Sequence, residues 1–297
     1  MRILKYILAS TILCIAARGL QAQPYIDLLN ARYANSPNSG SGNATHNPVK
    51  MQYFNFSANL PIRFKKSGDA VLLMPFVENW KFAWPTLPYR NNEVWGYAFP
   101  IGYLKQFKQS RFNLMGVFIP RINRENPKPK NNIFQFGGFL LGSFRVKENL
   151  VLKAGAYYNQ EFFGPFFIPL LGVDWKINER SNLFGTLPNQ LVYERKMNNW
   201  LYLGGITRFI TNSYRLQSFY GNRNQDNRYM RIDENQLGGF VDFYPLRKWV
   251  VNLEFGHSVL RKLKQGFSNE SISNAINLYP KDNFYLKLSM AYRIRFR

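Results

Sequence analysis

From Phe284 to Phe296 every second residue is apolar: Phe284, Leu286, Leu288, Met290, Tyr292, Ile294 and Phe296 alternate with Tyr285, Lys287, Ser289, Ala291, Arg293 and Arg295. Successive strand side chains point to opposite faces, so one face of this stretch is apolar with aromatics at both ends and the other is polar and cationic. Its length, its flanking aromatics and its place beside the C-terminus are the pattern of a membrane barrel strand. They also imply a partner, the barrel-assembly machinery that reads a terminal aromatic strand. Arg297 after Phe296 is a small departure from that signal.

The other end of the chain reads as an export leader. Arg2 and Lys5 precede an apolar run over residues 6–17, and Leu20, Gln21 and Ala22 form a small-residue cleavage site before Gln23. Residues 1–22 are thus expected to be a Sec-type signal peptide, and 23–297 a single barrel domain bound for the cell outer membrane. No run is long and uncharged enough for a spanning helix. Cys14, the only cysteine, lies inside the leader with Leu13 before it. Neither a lipid anchor nor a disulfide nor a thiolate metal site is expected in the mature chain.

The formal charge is +22, of which the leader holds three positive charges and no acid. The basic residues are spread through strands and turns without a cluster, so no nucleic acid is expected as a partner. They suit a basic lumen and basic rims against outer-membrane lipid and lipopolysaccharide. Aromatics make up 17 % of the chain while its mean hydropathy is −0.31. A barrel reconciles the two, because half of each strand faces lipid and half faces water.

Twelve long strands can be placed, at about 25–34, 50–64, 70–82, 93–108, 111–123, 132–146, 150–162, 165–178, 200–213, 229–244, 247–260 and 283–296. The second alternates cleanly, with Phe54, Phe56, Ala58, Leu60 and Ile62 on one face; the fourth presents Trp95, Tyr97, Phe99, Ile101 and Tyr103. Residues 179–199 hold two runs, 183–188 and 190–196, shorter than the roughly nine to eleven residues a tilted crossing needs. They are read as a hairpin at the periplasmic rim or folded partly into the lumen. If both crossed, the count would be fourteen. Connections after the first, third, fifth, ninth and eleventh strands are long and polar, and those after the second, fourth, sixth and tenth are short. That asymmetry places external loops on one side and both termini in the periplasm; only the connection at Gly164 and Pro165 is out of step.

The run Glu161-Phe162-Phe163-Gly164-Pro165-Phe166-Phe167-Ile168-Pro169, continuing to Asp174-Trp175-Lys176, is followed by Asn182-Leu183-Phe184-Gly185-Thr186-Leu187-Pro188. With Asn59-Leu60-Pro61-Ile62, Phe134-Gln135-Phe136-Gly137-Gly138 and Thr211-Asn212-Ser213-Tyr214, it resembles an uncharacterised outer-membrane β-barrel family of Bacteroidota, domain of unknown function 6268. The resemblance spans nearly all of the mature chain. It implies an outer-membrane barrel of a Gram-negative cell and brings no activity.

Little in the sequence points to catalysis. His46 sits in a polar loop. His257 and Ser258 evoke the barrel-wall pair of outer-membrane lipid hydrolases, which show a His-x-Ser spacing; adjacent residues instead point to opposite faces. Two distant histidines and no mature cysteine make no metal site, and no cofactor is expected. Extending the alternation inward places Arg63, Arg111, Arg121, Arg145, Lys153, Lys176, Arg208, Lys287, Arg293 and Arg295 in the lumen with Glu161, Asp174, Asp242 and Glu254. The candidate lumen or ligand residues are Arg121, Arg145, Lys153, Glu161, Asp174, Arg208, Asp242 and Glu254. A lumen biased this way favours a small anionic solute; alternatively its charges pair across a narrow barrel and plug it. Asp174 lies well inside its strand, where Lys153 or Arg145 would be an ordinary partner.

The sequence therefore points to an all-β protein: one antiparallel transmembrane barrel of twelve strands, or fourteen, with no catalytic role, passing or binding a small, anionic solute. The alternatives are a closed structural barrel and a lipid-acting hydrolase.

Overall fold

Alternation dictates which way each side chain faces, and hydrogen bonding decides which strands neighbour each other. The computed structural model describes residues 23–37, 48–84, 92–107, 110–126, 132–217 and 227–296; the leader, His46 and Arg297 lie outside them. The wall runs through β1 (Tyr25–Ser36), β2 (Lys50–Ala58, continuing as Leu60–Arg63), β3 (Ala70–Leu73, continuing as Phe76–Ala83) and β4 (Asn92–Ala98, continuing as Ile101–Gln106). It goes on with β5 (Phe112–Glu125), β6 (Phe134–Lys147), β7 (Leu150–Glu161), β8 (Gly164–Lys176), β9 (Ser181–Leu187) and β10 (Gln190–Lys196). The last four strands are β11 (Leu201–Arg215), β12 (Arg228–Leu246), β13 (Trp249–Phe267) and β14 (Asn283–Arg295). Each pairs antiparallel with the next, and β1 closes on β14 from Tyr25↔Arg295 to Asn35↔Leu286.

A closed barrel leaves no unpaired edge around most of its circumference, the condition for strands to cross hydrocarbon. Its outer face carries the apolar belt that alternation predicts. Phe54, Phe56, Tyr97, Phe99, Leu286 and Leu288 are exposed, while Asn55, Tyr285 and Lys287 are buried inward.

The breaks in β2, β3 and β4 form one seam. Asn59 N–H donates to Leu28 O, Ala58 N–H to Pro75 O, Met74 N–H to Pro100 O and Phe99 N–H to Pro120 O. Proline supplies no donor, so the ladder steps around each one; the alternation survives the step, since Leu60 and Ile62 still face outward.

Residues 179–199 correct the count of twelve. β9 pairs with β8 from Leu171↔Leu187 to Lys176↔Asn182, and β10 pairs with β11 from Gln190↔Arg208 to Lys196↔Tyr202. Bonded on both sides, the hairpin is wall rather than rim or lumen, and the barrel has fourteen strands. Length excluded it only on the assumption that the wall is equally tall everywhere. The turn end of the barrel carries the start of β1 at Tyr25 and the end of β14 at Arg295; the hairpin tip at Pro188 and Asn189 points toward the loop end but stops well short of it.

Candidate functional site

The bore is where the candidate residues converge, and three devices fill it. The first is β11 itself. Beyond the hairpin tip it loses its partner on the β10 side and, still paired with β12 as far as Arg215↔Tyr229, bends over the bore as a strap that meets β5 in a parallel bridge between Arg215 and Arg124. The crossing is pinned by Glu161, whose carboxylate accepts from Ser213 N at 3.0 Å, Ser213 Oγ at 2.5 Å and Gln135 Nε2 at 3.0 Å, and closely from Arg121 and Asn159. Asn123 Nδ2 donates to Ser213 O at 3.0 Å and Arg121 Nη1 to Asn212 Oδ1 at 3.1 Å.

The second device is an apolar core on the far side of this crossing. Tyr214 and Leu216 of the strap, with Met230 and Ile232 of β12, pack against Val49, Met51, Trp80, Phe82, Trp84, Val94 and Leu263. All are nearly or wholly buried. Tyr214 OH donates to Glu78 at 2.6 Å, and Tyr53 OH and Asn212 Nδ2 also reach that carboxylate. The loop end is therefore packed as a dry core on this side.

The third device is a set of ion pairs nearer the turn end. Glu254 accepts from Arg208 at 3.0 and 3.2 Å, from Tyr285 OH at 2.8 Å, and from Lys287. Arg293 bridges Asp27 and Asp242, both at 2.5 Å, with its guanidinium 3.6 Å above the Tyr25 ring. Arg295 reaches Glu194 at 2.9 and 2.8 Å and stacks over Tyr202. Charges taken out of water survive only when paired and hydrogen-bonded, and these are.

The candidates thus divide. Arg121 and Glu161 pair at the strap, Arg208 and Glu254 in the middle tier, Asp242 with Arg293, and Lys153 with Asp174 at 2.7 Å. Glu161 and Asp174, neighbours in the resemblance run, sit at opposite ends of the bore. Arg145 faces inward but has no carboxylate within ion-pair distance among the described residues. Arg111 and Lys176, assigned inward by alternation, are exposed at the turn end. Sequence reasoning missed Asp27, Glu78 and Glu194 on strands of the wall, which offset part of the expected cationic excess, and two further buried pairs, Arg231 with Asp233 and Arg261 with Glu234. His257 lies on the outer face with its ring edge-on to Phe284, 4.8 Å between centroids, while Ser258 is buried on the other face. Among the described residues no group of His, Cys, Asp and Glu could hold a metal ion.

What space remains is uneven. A cavity of about 530 Å³ lies between the strap and the inner faces of β5 to β8, walled by Met115, Ile119, Phe139, Leu141, Tyr157 and Ile168, with Lys153 and Asp174 at its floor. A vestibule of about 1030 Å³ opens at the turn end, where Lys176, Arg180, Lys196, Arg247, Lys248, Arg293 and Arg295 outnumber Glu148 and Glu179. Between them a polar space of about 110 Å³ is ringed by the ion pairs.

Residues 89–297 match the family described as a domain of unknown function, DUF6268. No curated protein matches the chain. Among solved structures it is similar to the COG4313 outer membrane channel from Pseudomonas putida F1, at 10 % identity over 94 % of this chain and 100 % of that one, TM-score 0.48. It is also similar to the NanC porin, at 10 % over 90 % and 100 %, TM-score 0.37, and to a mutant of the TodX monoaromatic hydrocarbon channel, at 8 % over 91 % and 89 %, TM-score 0.40.

Proposed function

The chain belongs to the DUF6268 family, and since that description assigns no activity, we propose a function from the geometry: a non-enzymatic outer-membrane barrel that binds a small solute inside a bore closed to free ion flow. The carrying observation is the cavity of about 530 Å³, of a size for a small ligand, held in a barrel whose loop end is packed by the strap and the apolar core and whose middle is crossed by ion pairs. On this reading the leader is removed at export, the barrel-assembly machinery inserts the chain, and the apolar belt meets outer-membrane lipid and lipopolysaccharide. The cell is a Gram-negative one of the Bacteroidota, the lineage the sequence resemblance implies. An anionic preference belongs to the turn-end vestibule, where seven cations face two acids; the cavity itself, its floor neutralised by its own ion pair, carries no such preference. Purified folded barrel, extracted from its native membrane, should yield a bound small molecule to mass spectrometry, and Ile119→Trp, which fills the cavity, should remove it. Equal recovery from the two proteins, or none from either, would contradict the reading.

A further inference from the structure

We propose that this cavity opens through the side of the barrel, by a window in the wall that admits a small apolar molecule dissolved in the bilayer. The inference rests on the binding function above and adds its route and ligand class. The window follows from register. β9 covers β8 only up to Leu171, and β10 covers β11 only up to Arg208, so no strand lies between residues 164–170 of β8 and 209–215 of β11. Below, the gap ends at the hairpin tip, where Phe209 N–H donates to Pro188 O and Asn189 O at 3.2 Å. Above, it ends where Glu161 and Phe162 bond Ser213. The four residue steps from Phe209 to Ser213 span about 14 Å at the usual strand rise.

An open strand edge in hydrocarbon leaves donors without acceptors, which is costly. Here most of those donors are missing or occupied. Lys176 N–H points to Asn149 O on the β7 side and Ile177 N–H to Ser181 O on the β9 side. With period two and no register shift along β8, the odd-numbered N–H positions face the window. Two of the three there, 165 and 169, are proline, leaving only the Phe167 N–H. On β11 the N–H groups of Phe209 and Ser213 are occupied by the tip and by Glu161, leaving only that of Thr211. An edge so stripped does not recruit another strand.

The β8 side of the gap is apolar, while on the β11 side Phe209 is followed by Thr211, whose hydroxyl donates to Asp233 of the Arg231–Asp233 pair. Phe167 and Leu171, beside it on the outer face, are each 67 % exposed. Phe166, Ile168 and Leu170 line the cavity just within, and Phe209, 43 % exposed, borders it at the edge of the gap. Along the axis the strap crosses above, and below the floor Phe184 packs edge-on against Tyr25 and joins Val192, Ile206 and Phe240 in a second core, with Gln23 lining both the cavity and the turn-end vestibule.

The test is bilayer photolabelling of the full folded barrel in dioleoylphosphatidylcholine vesicles, with a trifluoromethyl-phenyldiazirine probe dissolved in the membrane and adducts mapped by mass spectrometry. Outward-facing Tyr158 should be labelled in every case. The expected result is that Tyr157 and Met115, which face the cavity, are labelled too, and that this inner labelling is lost in Ile168→Trp and in Thr211→Trp while Tyr158 is unchanged. Heat-modifiable gel mobility confirms that each variant is folded. Inner labelling that persists in both variants overturns the window while leaving solute binding intact. Inner labelling absent from the unaltered protein overturns the window as well, and the binding function then fails only if the extracted barrel also carries no small molecule.

Discussion

Replacing Glu161 by glutamine keeps the shape of the strap's central acceptor and removes its charge. Glu161 is 4 % exposed and its partner Arg121 7 %, so Arg121 would keep its charge in a dry environment with only Asn212 and the new amide oxygen as neutral acceptors. Breaking one partner of such a pair costs about 3–5 kcal/mol, most of it the penalty of the orphaned charge. The gain of an amide group cannot offset this, because Gln135 and Asn159 already point their own NH₂ groups at the site. Urea unfolding of the barrel in short-chain lipid vesicles, followed by tryptophan fluorescence and gel mobility, reads the loss directly. The double variant Glu161→Gln with Arg121→Met should be less destabilised than the sum of the singles, since it removes the orphaned charge. A Glu161→Gln variant within about 0.5 kcal/mol of the parent, the range of an ordinary surface change, would refute the claim that this pair is buried and pins the strap.

Three further outcomes follow from the same geometry. Tyr214→Ala removes a fully buried ring and the bond to Glu78; at about 3–5 kcal/mol for a large core truncation it should loosen the strap, seen as faster hydrogen exchange over residues 210–216 than over the neighbouring wall of β12. Gly185→Ala places a side chain at φ 142° with its Cβ 2.2 Å from Gln190 O, a strain of about 1–3 kcal/mol, and should lower the unfolding midpoint. In the turn between β2 and β3, the Gln106 N–H, the Lys105 ammonium and the Tyr103 hydroxyl hold the Asp69 carboxyl well below the usual carboxylate range. A depressed folded value means its stabilisation is full at neutral pH, fades below about pH 4, the unfolded value, and is gone once Asp69 protonates; an acid titration of unfolding should lose this component in Asp69→Asn.

The outward faces were legible because alternation is enforced by lipid: Phe54, Tyr97 and Leu286 are where period two puts them, even across the proline seam. The pairing of Asp174 with Lys153 was legible for the same reason, since both lie on inward positions of adjacent strands. The short β9 and β10 were misjudged because length is a criterion for a wall of uniform height, and this wall dips. Glu194 was lost with them. The strap left a trace that the polar-inside expectation hid: on β11, inward positions turn from Arg208 to Tyr214 and Leu216, and on β3 Trp80 and Phe82 face inward too. Apolar residues at inward positions near one end mean a packed interior there. No local pattern, however, says that β11 bends over the bore beyond Arg208 while keeping its pairing with β12, because the bend is set by partners on β5 and β7 far away in sequence.

The most direct measurement of whether the bore is closed is single-channel conductance of the refolded protein in a planar bilayer under a salt gradient. With the strap, the core and the ion pairs in place, folded protein of unshifted gel mobility should pass no steady current. Steady conductance from that protein, with an anion selectivity that falls when Arg121, Arg145 and Arg208 are neutralised, would contradict the account and show an open aqueous pore.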